Sequence, residues 1–318
     1  MAHLVEQMAY VDRVPWHGLG FKMPTNSTIE DWQERAGLKW SVKKKPVLYN
    51  ETAHDRLRIF KDMFVLVRDL DQHPFAVVSE RYKPVQPSEV LEFYRDLAVM
   101  YDMKIETAGS LKNGARIWAL AKTGHVHQVL GRDRVDGYLL LATSYDTTFS
   151  TLAQFTSVRV VCNNTLELSF SNNTGRITIP HSQTFDAKAV KDQMGIGKDA
   201  WEAFTKTADL LARYKMDTYQ AEAFVHKLFN VDLTVDPMLP DMLMNLHHAT
   251  NVLHMFSSPA PAARMAGQTA WGVLNSVSGY VDHIKRARGD AGRLNSAWFG
   301  PGAALKRKAA LGLQALFA

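Results

Sequence analysis

Alternating apolar and polar positions dominate the first half of the chain and predict a β-rich region. The run DMFVLVRD at 62–69 predicts a strand, followed by a turn at 71–74 and a partner strand at 75–79. From 87 to 101 the apolar residues recur at three- and four-residue spacing, which predicts a helix with Ser88 as its N-cap. We expect a β-hairpin followed by a helix in this part of the chain.

Further strands are predicted downstream, at 104–110, 115–122, 135–145, 151–161 and 176–180. The first two are joined by Lys112-Asn113-Gly114, whose Asn-Gly pair favours a tight hairpin turn. The segment 163–172 between the last two strands is predicted to be helical.

Helical periodicity replaces the alternation near residue 182. Helices are predicted at 184–214, interrupted near Gly195 and Gly197, and at 219–229, 241–256, 269–288 and 303–317. The sequence therefore predicts an α+β fold, with a mostly antiparallel sheet and packed helices followed by a helical C-terminal region. We expect two domains, an α+β core at 1–182 and a helical region at 183–318.

Charge is distributed unevenly along the 318 residues. The chain holds 37 Lys and Arg against 32 Asp and Glu. The stretch from Arg35 to Arg68 has nine cations and three acids, and the stretch from Lys285 to Lys308 has seven cations and one acid. Each stretch carries +6, which favours a polyanion partner, although a solvated surface gives the same pattern.

Cysteine content and the N-terminal sequence indicate the compartment. Cys162 is the single cysteine, so no intramolecular disulfide or cysteine-based zinc site can form. The opening MAHLVEQMAYVDR lacks a basic region followed by an apolar one, and no window has the apolar length of a membrane helix. We expect a cytoplasmic protein with no membrane partner.

The sequence contains no recognisable catalytic or metal-binding motif. GIGKDA at 195–200 lacks the first glycine and the final Ser or Thr of a phosphate loop. The helical His247, His248 and His254 lack metal-ligand spacing, and His125 with His127 has no evident third ligand. The sequence predicts no catalytic residue, no metal and no cofactor, and we expect a protein that is not an enzyme.

Nucleic-acid binding requires cations interleaved with amides and aromatic rings on an extended surface. Tyr82 and Trp118 are candidate stacking platforms, and Arg159 stands in an otherwise apolar strand. We predict DNA contacts at Arg81, Tyr82, Lys83, Lys112, Arg116, Arg159, Asn163 and Asn164. Since no zinc finger, basic zipper or RNP signature is present, binding is expected to be backbone-directed and without sequence specificity.

Several short motifs resemble a known family. They are PWHGLG at 15–20, RYKPVQ at 81–86, ETAGSLKNG at 106–114, TSYD at 143–146, VRVVCNNTL at 158–166 and TAWGVLNSVSGYVDH at 269–283. In this order they resemble the phage- and plasmid-like proteins of the domain-of-unknown-function family DUF932. That resemblance implies a remote similarity to the single-strand annealing superfamily of Rad52, Red-beta and RecT. Such proteins share a curved antiparallel sheet crossed by a helix, and they assemble into rings or helical filaments that hold single-stranded DNA in a continuous basic groove. The resemblance therefore implies a curved sheet in this chain and a location in the cytoplasm of a bacterial host cell.

Three functions follow as hypotheses. The first is a phage single-stranded DNA-binding and strand-annealing protein that acts in recombination as a homo-oligomer, with a host single-strand binding protein as a further candidate partner. The second is a non-enzymatic phage interaction or assembly protein that binds a host factor. The third is a metal-dependent nuclease that uses Asp133, Asp136 and Asp146.

Overall fold

The computed structural model describes residues 5–11, 20–51, 56–101, 103–159, 164–166, 176–193, 198–236, 238–287 and 289–317. Four features singled out in the sequence lie outside these residues. They are positions 15–19 of PWHGLG, Cys162, Asn163 and positions 195–197 of GIGKDA.

The described strands form two sheets. The strands are β1 (Val5–Tyr10), β2 (Phe21–Lys22), β3 (Val42–Glu51), β4 (Arg56–Arg68), β5 (Pro74–Ser79), β6 (Lys104–Leu111), β7 (Arg116–Val129), β8 (Asp133–Ser144), β9 (Thr151–Arg159), β10 (Asn164–Leu166) and β11 (Arg176–Ile179). The larger sheet has the order β10-β9-β8-β7-β6-β1-β2, with β11 also paired to β9, and the smaller has the order β3-β4-β5. Only the short β1–β2 pairing is parallel among the registers described.

Helices occupy most of the remaining described chain. They are α1 (Ile29–Arg35), α2 (Pro87–Glu92), α3 (Arg95–Tyr101), α4 (Ala187–Gln193), α5 (Lys198–Arg213), α6 (Thr218–Leu228), α7 (Pro240–Phe256), α8 (Pro261–Ala266), α9 (Ala270–Gly279), α10 (Gly289–Phe299) and α11 (Pro301–Gln314). A π-helical turn at Tyr280–Ile284 continues α9. The mostly antiparallel sheet with packed helices and a helical C-terminus confirms the predicted α+β class.

The chain divides into two compact units, each built from separate segments. The first contains Met1–Thr123, Leu139–Gln154 and Arg176–Ile196, and the second contains Gly124–Tyr138, Phe155–Gly175 and Gly197–Ala318. The single domain boundary at residue 182 stays a prediction.

In the first unit, β3 and β4 form a long hairpin with two different halves. Pairing runs from Val42↔Arg68 to Pro46↔Phe64, shifts register, and resumes from Leu48↔Ile59 to Glu51↔Arg56. Leu66 in the first half is fully buried, whereas every β4 residue from 56 to 62 is exposed. Residues 46–51 and 56–61, called the distal hairpin below, therefore contribute little to the core.

In the second unit, the apolar α9 forms the centre of the helical core. All its residues are buried, and it contacts α5, α7, α8 and α11. The Trp271 Nε1–H donates to Asp133 Oδ2 at 2.8 Å, which satisfies the one polar group of a fully buried ring. Lys306 of α11 and Asp282 form an ion pair at 2.9 Å, with side chains 2% and 1% exposed.

The helix predicted at 87–101 is interrupted in the structure. Helix α2 ends at Glu92 and α3 begins at Arg95. Phe93 and Tyr94 at the break are both buried, and the Tyr94 hydroxyl lies 2.8 Å from the Ala119 carbonyl oxygen. A continuous helix would point adjacent side chains in directions about 100° apart, so the break allows both rings to enter the interior.

The predicted N-cap Ser88 was also wrong, because Gln86 occupies the N-cap position. Pro87 then stands at the first helical position, where its missing N–H has no helical partner to lose. The Gln86 backbone N–H donates to the Glu89 carboxylate at 2.6 Å and satisfies this end of the helix.

Two further helix predictions need correction. Asn164–Leu166 of the segment 163–172 forms strand β10 against Ser157–Arg159, and 163 and 167–172 lie outside the described residues. Asn and Thr are weak helix formers, so strand pairing outweighs the local preference. The helix predicted at 269–288 ends its α-helical part at Gly279, since the wider π turn bonds the Lys285 N–H to the Tyr280 carbonyl oxygen at 2.7 Å.

Within the part of the chain that the structure describes, no helix has both the length and the apolar character required to cross a membrane.

Candidate nucleic-acid interface

Two of the predicted contact residues, Lys112 and Arg116, meet at one carboxylate of the first unit. Arg116 Nε and Lys112 Nζ lie 3.3 and 3.5 Å from Asp146 Oδ2, and Arg116 Nη2 donates to the Thr148 hydroxyl at 2.8 Å. The left-handed Lys112-Asn113-Gly114 turn, predicted from its Asn-Gly pair, brings Lys112 to this point. Lys112, Arg116, Asp146 and Thr148 are called the Asp146 cluster below.

Electrostatics hold the Asp146 cluster together as an internal network. Burial opposes ionisation of Asp146, but the Thr148 hydrogen bond and the Arg116 charge outweigh it and lower the pKa of this carboxyl. The Arg116 side chain is only 7% exposed and also lies over the Phe149 ring at 5.5 Å. Both cations therefore have a carboxylate partner within the unit, and Arg116 presents little surface to a ligand.

Tyr82 and Lys83 also have internal partners. The Tyr82 hydroxyl donates to the Ser144 carbonyl oxygen at 2.9 Å, and its ring stacks on His181 at 4.5 Å. Burial, together with the Asp146 charge, raises the pKa of the Tyr82 hydroxyl. Lys83 Nζ donates to the Thr184 hydroxyl at 2.9 Å, although its side chain remains exposed.

The other predicted contacts are dispersed or not described. Arg81 is exposed in the turn after β5. Arg159 and Asn164 are paired in the β9–β10 ladder, where the structure describes only their backbone, and Asn163 lies outside the described residues. Trp118 is fully buried in β7, so its interpretation as a stacking platform was wrong. An aromatic residue in a strand with two covered faces belongs to the core.

The acids of the nuclease hypothesis each contact a nearby side chain. Asp133 accepts from Trp271, Asp136 accepts from Arg134 Nε at 2.8 Å, and Asp146 is bound as described above. Among the residues that the structure describes, no three His, Cys, Asp or Glu side chains are grouped so that they could hold a metal ion.

The distal hairpin, unlike the Asp146 cluster, is strongly exposed, and its side chains project from two opposite faces. Directly paired residues of an antiparallel ladder project to the same side. Tyr49↔Arg58 and Glu51↔Arg56 therefore share one face, which we call the cationic face. The other face carries Leu48↔Ile59 and Asn50↔Leu57 and is called the aliphatic face.

The cationic face combines charge with aromatic rings. Phe60, two residues after Arg58, joins it, and its ring lies 6.4 Å from that of Tyr49 at an interplanar angle of 75°. These two rings are 53% and 48% exposed. Arg58 pairs with Glu51 at 2.5 Å but keeps 56% of its side chain exposed. Rings and guanidinium groups are thus available together on one narrow surface.

Lysines add further positive charge along the β3–β4 hairpin. Lys43 and Lys61 are exposed. Lys44 Nζ donates to the Glu80 carbonyl oxygen at 2.6 Å, and Lys45 Nζ donates to the Gln72 side-chain oxygen.

The sequence prediction missed the cationic face and placed no DNA contact there. The available signal was the +6 charge between Arg35 and Arg68. The sequence pattern predicts a strand only from residue 62, because a strand that is exposed on both faces shows no core-facing alternation of apolar residues.

Comparison with known proteins identifies one family. The model of DUF932, a domain of unknown function, matches residues 74–298. No curated protein and no solved structure matches the chain. The matched range contains the Asp146 cluster and begins after the β3–β4 hairpin. Since it covers well over half of the 318 residues, the chain belongs to the DUF932 family.

Proposed function

We propose that this protein binds single-stranded DNA without sequence specificity and, as a homo-oligomer, anneals complementary strands. The observation that carries the proposal is the cationic face of the distal hairpin, where Tyr49, Arg56, Arg58 and Phe60 are exposed together. The proposed setting is phage recombination in the cytoplasm of a bacterial host, and it depends on the motif resemblance alone.

The chemistry of this face suits a single strand. Cations attract phosphates and release condensed counterions, with a salt slope of about −0.7 per phosphate for single strands. Unpaired bases expose their π-faces, and each base that stacks on an aromatic ring contributes about 1–3 kcal/mol. A duplex buries those π-faces between its base pairs, so Tyr49 and Phe60 favour single strands.

Annealing requires neither hydrolysis nor a cofactor. Duplex formation releases about 1.4 kcal/mol per base-pair step, so the protein needs only to hold strands in reach of one another. Contacts to backbone and π-faces leave the Watson–Crick edges available for pairing. The proposed protein is therefore a binding protein and not an enzyme.

Charge reversal on the cationic face tests the proposal. Arg56→Glu/Arg58→Glu is compared with Lys188→Glu/Lys206→Glu, which makes the same charge change at exposed positions elsewhere. Anisotropy of a labelled oligonucleotide measures binding, and quenching between two labelled complementary strands measures annealing. We expect the hairpin variant to lose both and the control variant to retain both.

Two results would overturn the proposal. One is a wild-type protein that does not bind the oligonucleotide at low salt, and this would favour the non-enzymatic interaction protein. The other is an equal loss in both charge-reversed variants, because net charge rather than the hairpin surface would then explain binding.

A further inference from the structure

The second unit contains a cavity that the DNA-binding proposal does not use. Its volume is about 510 Å³, and all the residues that line it belong to the segment Gly197–Ala318. Tyr214, Tyr219 and Phe224 contribute aromatic rings to its walls. Cavities that bind small molecules measure about 300–1,000 Å³ and are lined mainly by apolar and aromatic side chains. This cavity therefore has the size and the lining of a small-molecule site.

Small residues of α6 and α11 border the cavity. Ala223 of α6, Gly312 of α11 and Ala315 just after it all line the space. A Cβ at Gly312 would lie 3.1 Å from the Phe224 ring. The glycine therefore permits a close approach of the two helices, and the two exposed alanines leave the space beside it unfilled.

Helices α6 and α11 run antiparallel along the cavity. Lys308 Nζ donates to the Leu228 carbonyl oxygen at 2.8 Å, and four residues later Gly312 lies against the Phe224 ring. An advance of four residues along α11 thus corresponds to a step back of four residues along α6. The same order places Leu316 towards the N-terminal end of α6.

The cavity consequently has a cationic end and an apolar end. Lys227 and Lys308 line it at the C-terminal end of α6. Tyr219 lines it eight residues before Lys227, which is about 12 Å along the helix axis. Tyr219 is 80% exposed and Leu316 is 44% exposed, so the apolar end opens to the surface.

The charge of the two lysines is not neutralised within the described part of the chain. None of the described residues that line the cavity is Asp or Glu, and neither Lys227 nor Lys308 forms an ion pair with a described residue. The C-terminus of a helix carries only about half a negative charge, so α6 compensates less than one of the two cations. Lys308 also uses only one of its three N–H donors for the Leu228 carbonyl oxygen.

We propose that this cavity binds a small amphiphilic carboxylate, a molecule with one carboxylate at the end of an apolar body, such as a medium-chain fatty acid. The carboxylate pairs with Lys227 and Lys308, and the apolar body extends along α6 towards Tyr219. Burial of the apolar body supplies most of the affinity, while the two charges fix the orientation and select anions. This site goes beyond the proposed function, because it requires no DNA and uses no residue of the distal hairpin.

Two dyes that differ by one charged group test the site. Anilinonaphthalene sulfonate combines aromatic rings with an anion, and phenylnaphthylamine has the same rings without the sulfonate. Both dyes fluoresce more strongly in apolar surroundings, so titration of the full chain without DNA measures their Kd. Decanoate, whose extended chain is comparable in length to the cavity, then competes with the bound dye. Circular dichroism verifies the fold of each variant.

A cavity-filling variant tests the location of the site. Ala223→Phe places a ring in the cavity from an exposed position of α6. Ala304→Phe is the matched control, because it adds the same ring at an exposed position of α11 that does not line the cavity. We expect the wild type and Ala304→Phe to bind both dyes and release them to decanoate. We expect Ala223→Phe to lose the dye binding that decanoate displaces.

Removal of the charge tests the selection of anions. Lys227→Gln/Lys308→Gln removes two cations and keeps a side-chain N–H for the α6 carbonyl oxygen, and Lys188→Gln/Lys206→Gln makes the same charge change at exposed positions elsewhere. We expect the first variant to bind the sulfonate dye about tenfold more weakly, since each exposed ion pair contributes modestly. Its affinity for the neutral dye should not change, and the control should bind both dyes like the wild type.

Several results would overturn the inference. They are a wild type that does not bind the sulfonate dye, decanoate-displaceable binding that persists in Ala223→Phe, and an equal loss for both dyes in Lys227→Gln/Lys308→Gln. Displacement of the dye by a single-stranded oligonucleotide but not by decanoate would also overturn it, because the two lysines would then belong to a nucleic-acid surface.

Discussion

Replacement of the two exposed rings by leucine separates stacking from charge in the proposed DNA contact. In Tyr49→Leu/Phe60→Leu the strands keep apolar side chains of moderate size, and the cations of the hairpin are unchanged. Both rings are about half exposed, so their removal opens no cavity in the core. We expect weaker binding of single strands with no change in how binding depends on salt.

The magnitude follows from the geometry of the rings. One stacked base contributes about 1–3 kcal/mol, so two independent rings would contribute about twice as much. Tyr49 and Phe60 are instead edge-to-face neighbours at 6.4 Å, and neighbouring groups are not additive. We therefore expect a loss of about 2–3 kcal/mol, which corresponds to roughly 30- to 150-fold in Kd.

The cations provide the complementary measurement. Arg56→Ala/Arg58→Ala removes two positive charges from the same face, and each phosphate contact contributes about −0.7 to the slope of log K against log salt. The slope should become shallower by about 1.4. Titrations of a labelled oligonucleotide between about 50 and 200 mM salt determine both the slope and the affinity.

Tyr219→Leu is the matched control, because this tyrosine is 80% exposed on α6 and lies outside the hairpin. Stacking is refuted if the hairpin double variant binds like the wild type. It is also refuted if the affinity loss appears only as a changed slope, since leucine removes no charge.

The fold itself makes further predictions. Lys306→Met removes the positive charge that faces the buried Asp282 carboxylate, and it should lower the free energy of unfolding in urea by about 3–5 kcal/mol. Arg95→Met at an exposed ion pair should change this free energy far less, and similar losses in the two variants would contradict the expectation. Burial lowers the pKa of His181, so the unfolded chain takes up a proton before the folded one. The melting temperature should therefore fall as the pH drops below about 6.5, and it should fall less in His181→Gln. If the melting temperatures of the wild type and the variant fall in parallel with pH, another group causes the loss of stability. Gly272→Ala should lower the free energy of unfolding by about 1–3 kcal/mol in the same urea titration, because the new Cβ would lie 2.1 Å from the Gly267 carbonyl oxygen. An unchanged unfolding midpoint would refute this close packing.

The sequence correctly predicts those parts of the structure that depend only on neighbouring residues. The Lys112-Asn113-Gly114 turn adopts left-handed φ angles of 53°, 55° and 83°. Asn and Gly tolerate that region, so the dipeptide alone specifies the turn. In the same way, the β-branched residues of the RITI sequence predict strand β11 at Arg176–Ile179.

Long-range partnerships could not be predicted from one sequence. Arg116 and Asp146 are thirty positions apart, and only the packing of β7 beside the end of β8 brings them together. The residue type and local context of Arg116 therefore predict a DNA contact, although its side chain is almost wholly buried. The sequence does not predict the distal hairpin, because its strands have no buried face and therefore lack the alternation of apolar and polar residues by which strands are recognised.

The cationic face lies outside the part of the chain that matches the DUF932 family. The family match begins at residue 74, after the hairpin, so membership of DUF932 carries no information about the cationic face. A two-stranded hairpin on its own is marginally stable in water, and the distal hairpin is exposed on both faces. A nucleic acid bound to the cationic face would stabilise it. In the proposed homo-oligomer, assembly would also multiply weak contacts along one strand, so that each copy could release its bases while the array retains the DNA. Annealing needs this combination, because a strand gripped tightly by a single site could not exchange protein contacts for base pairs.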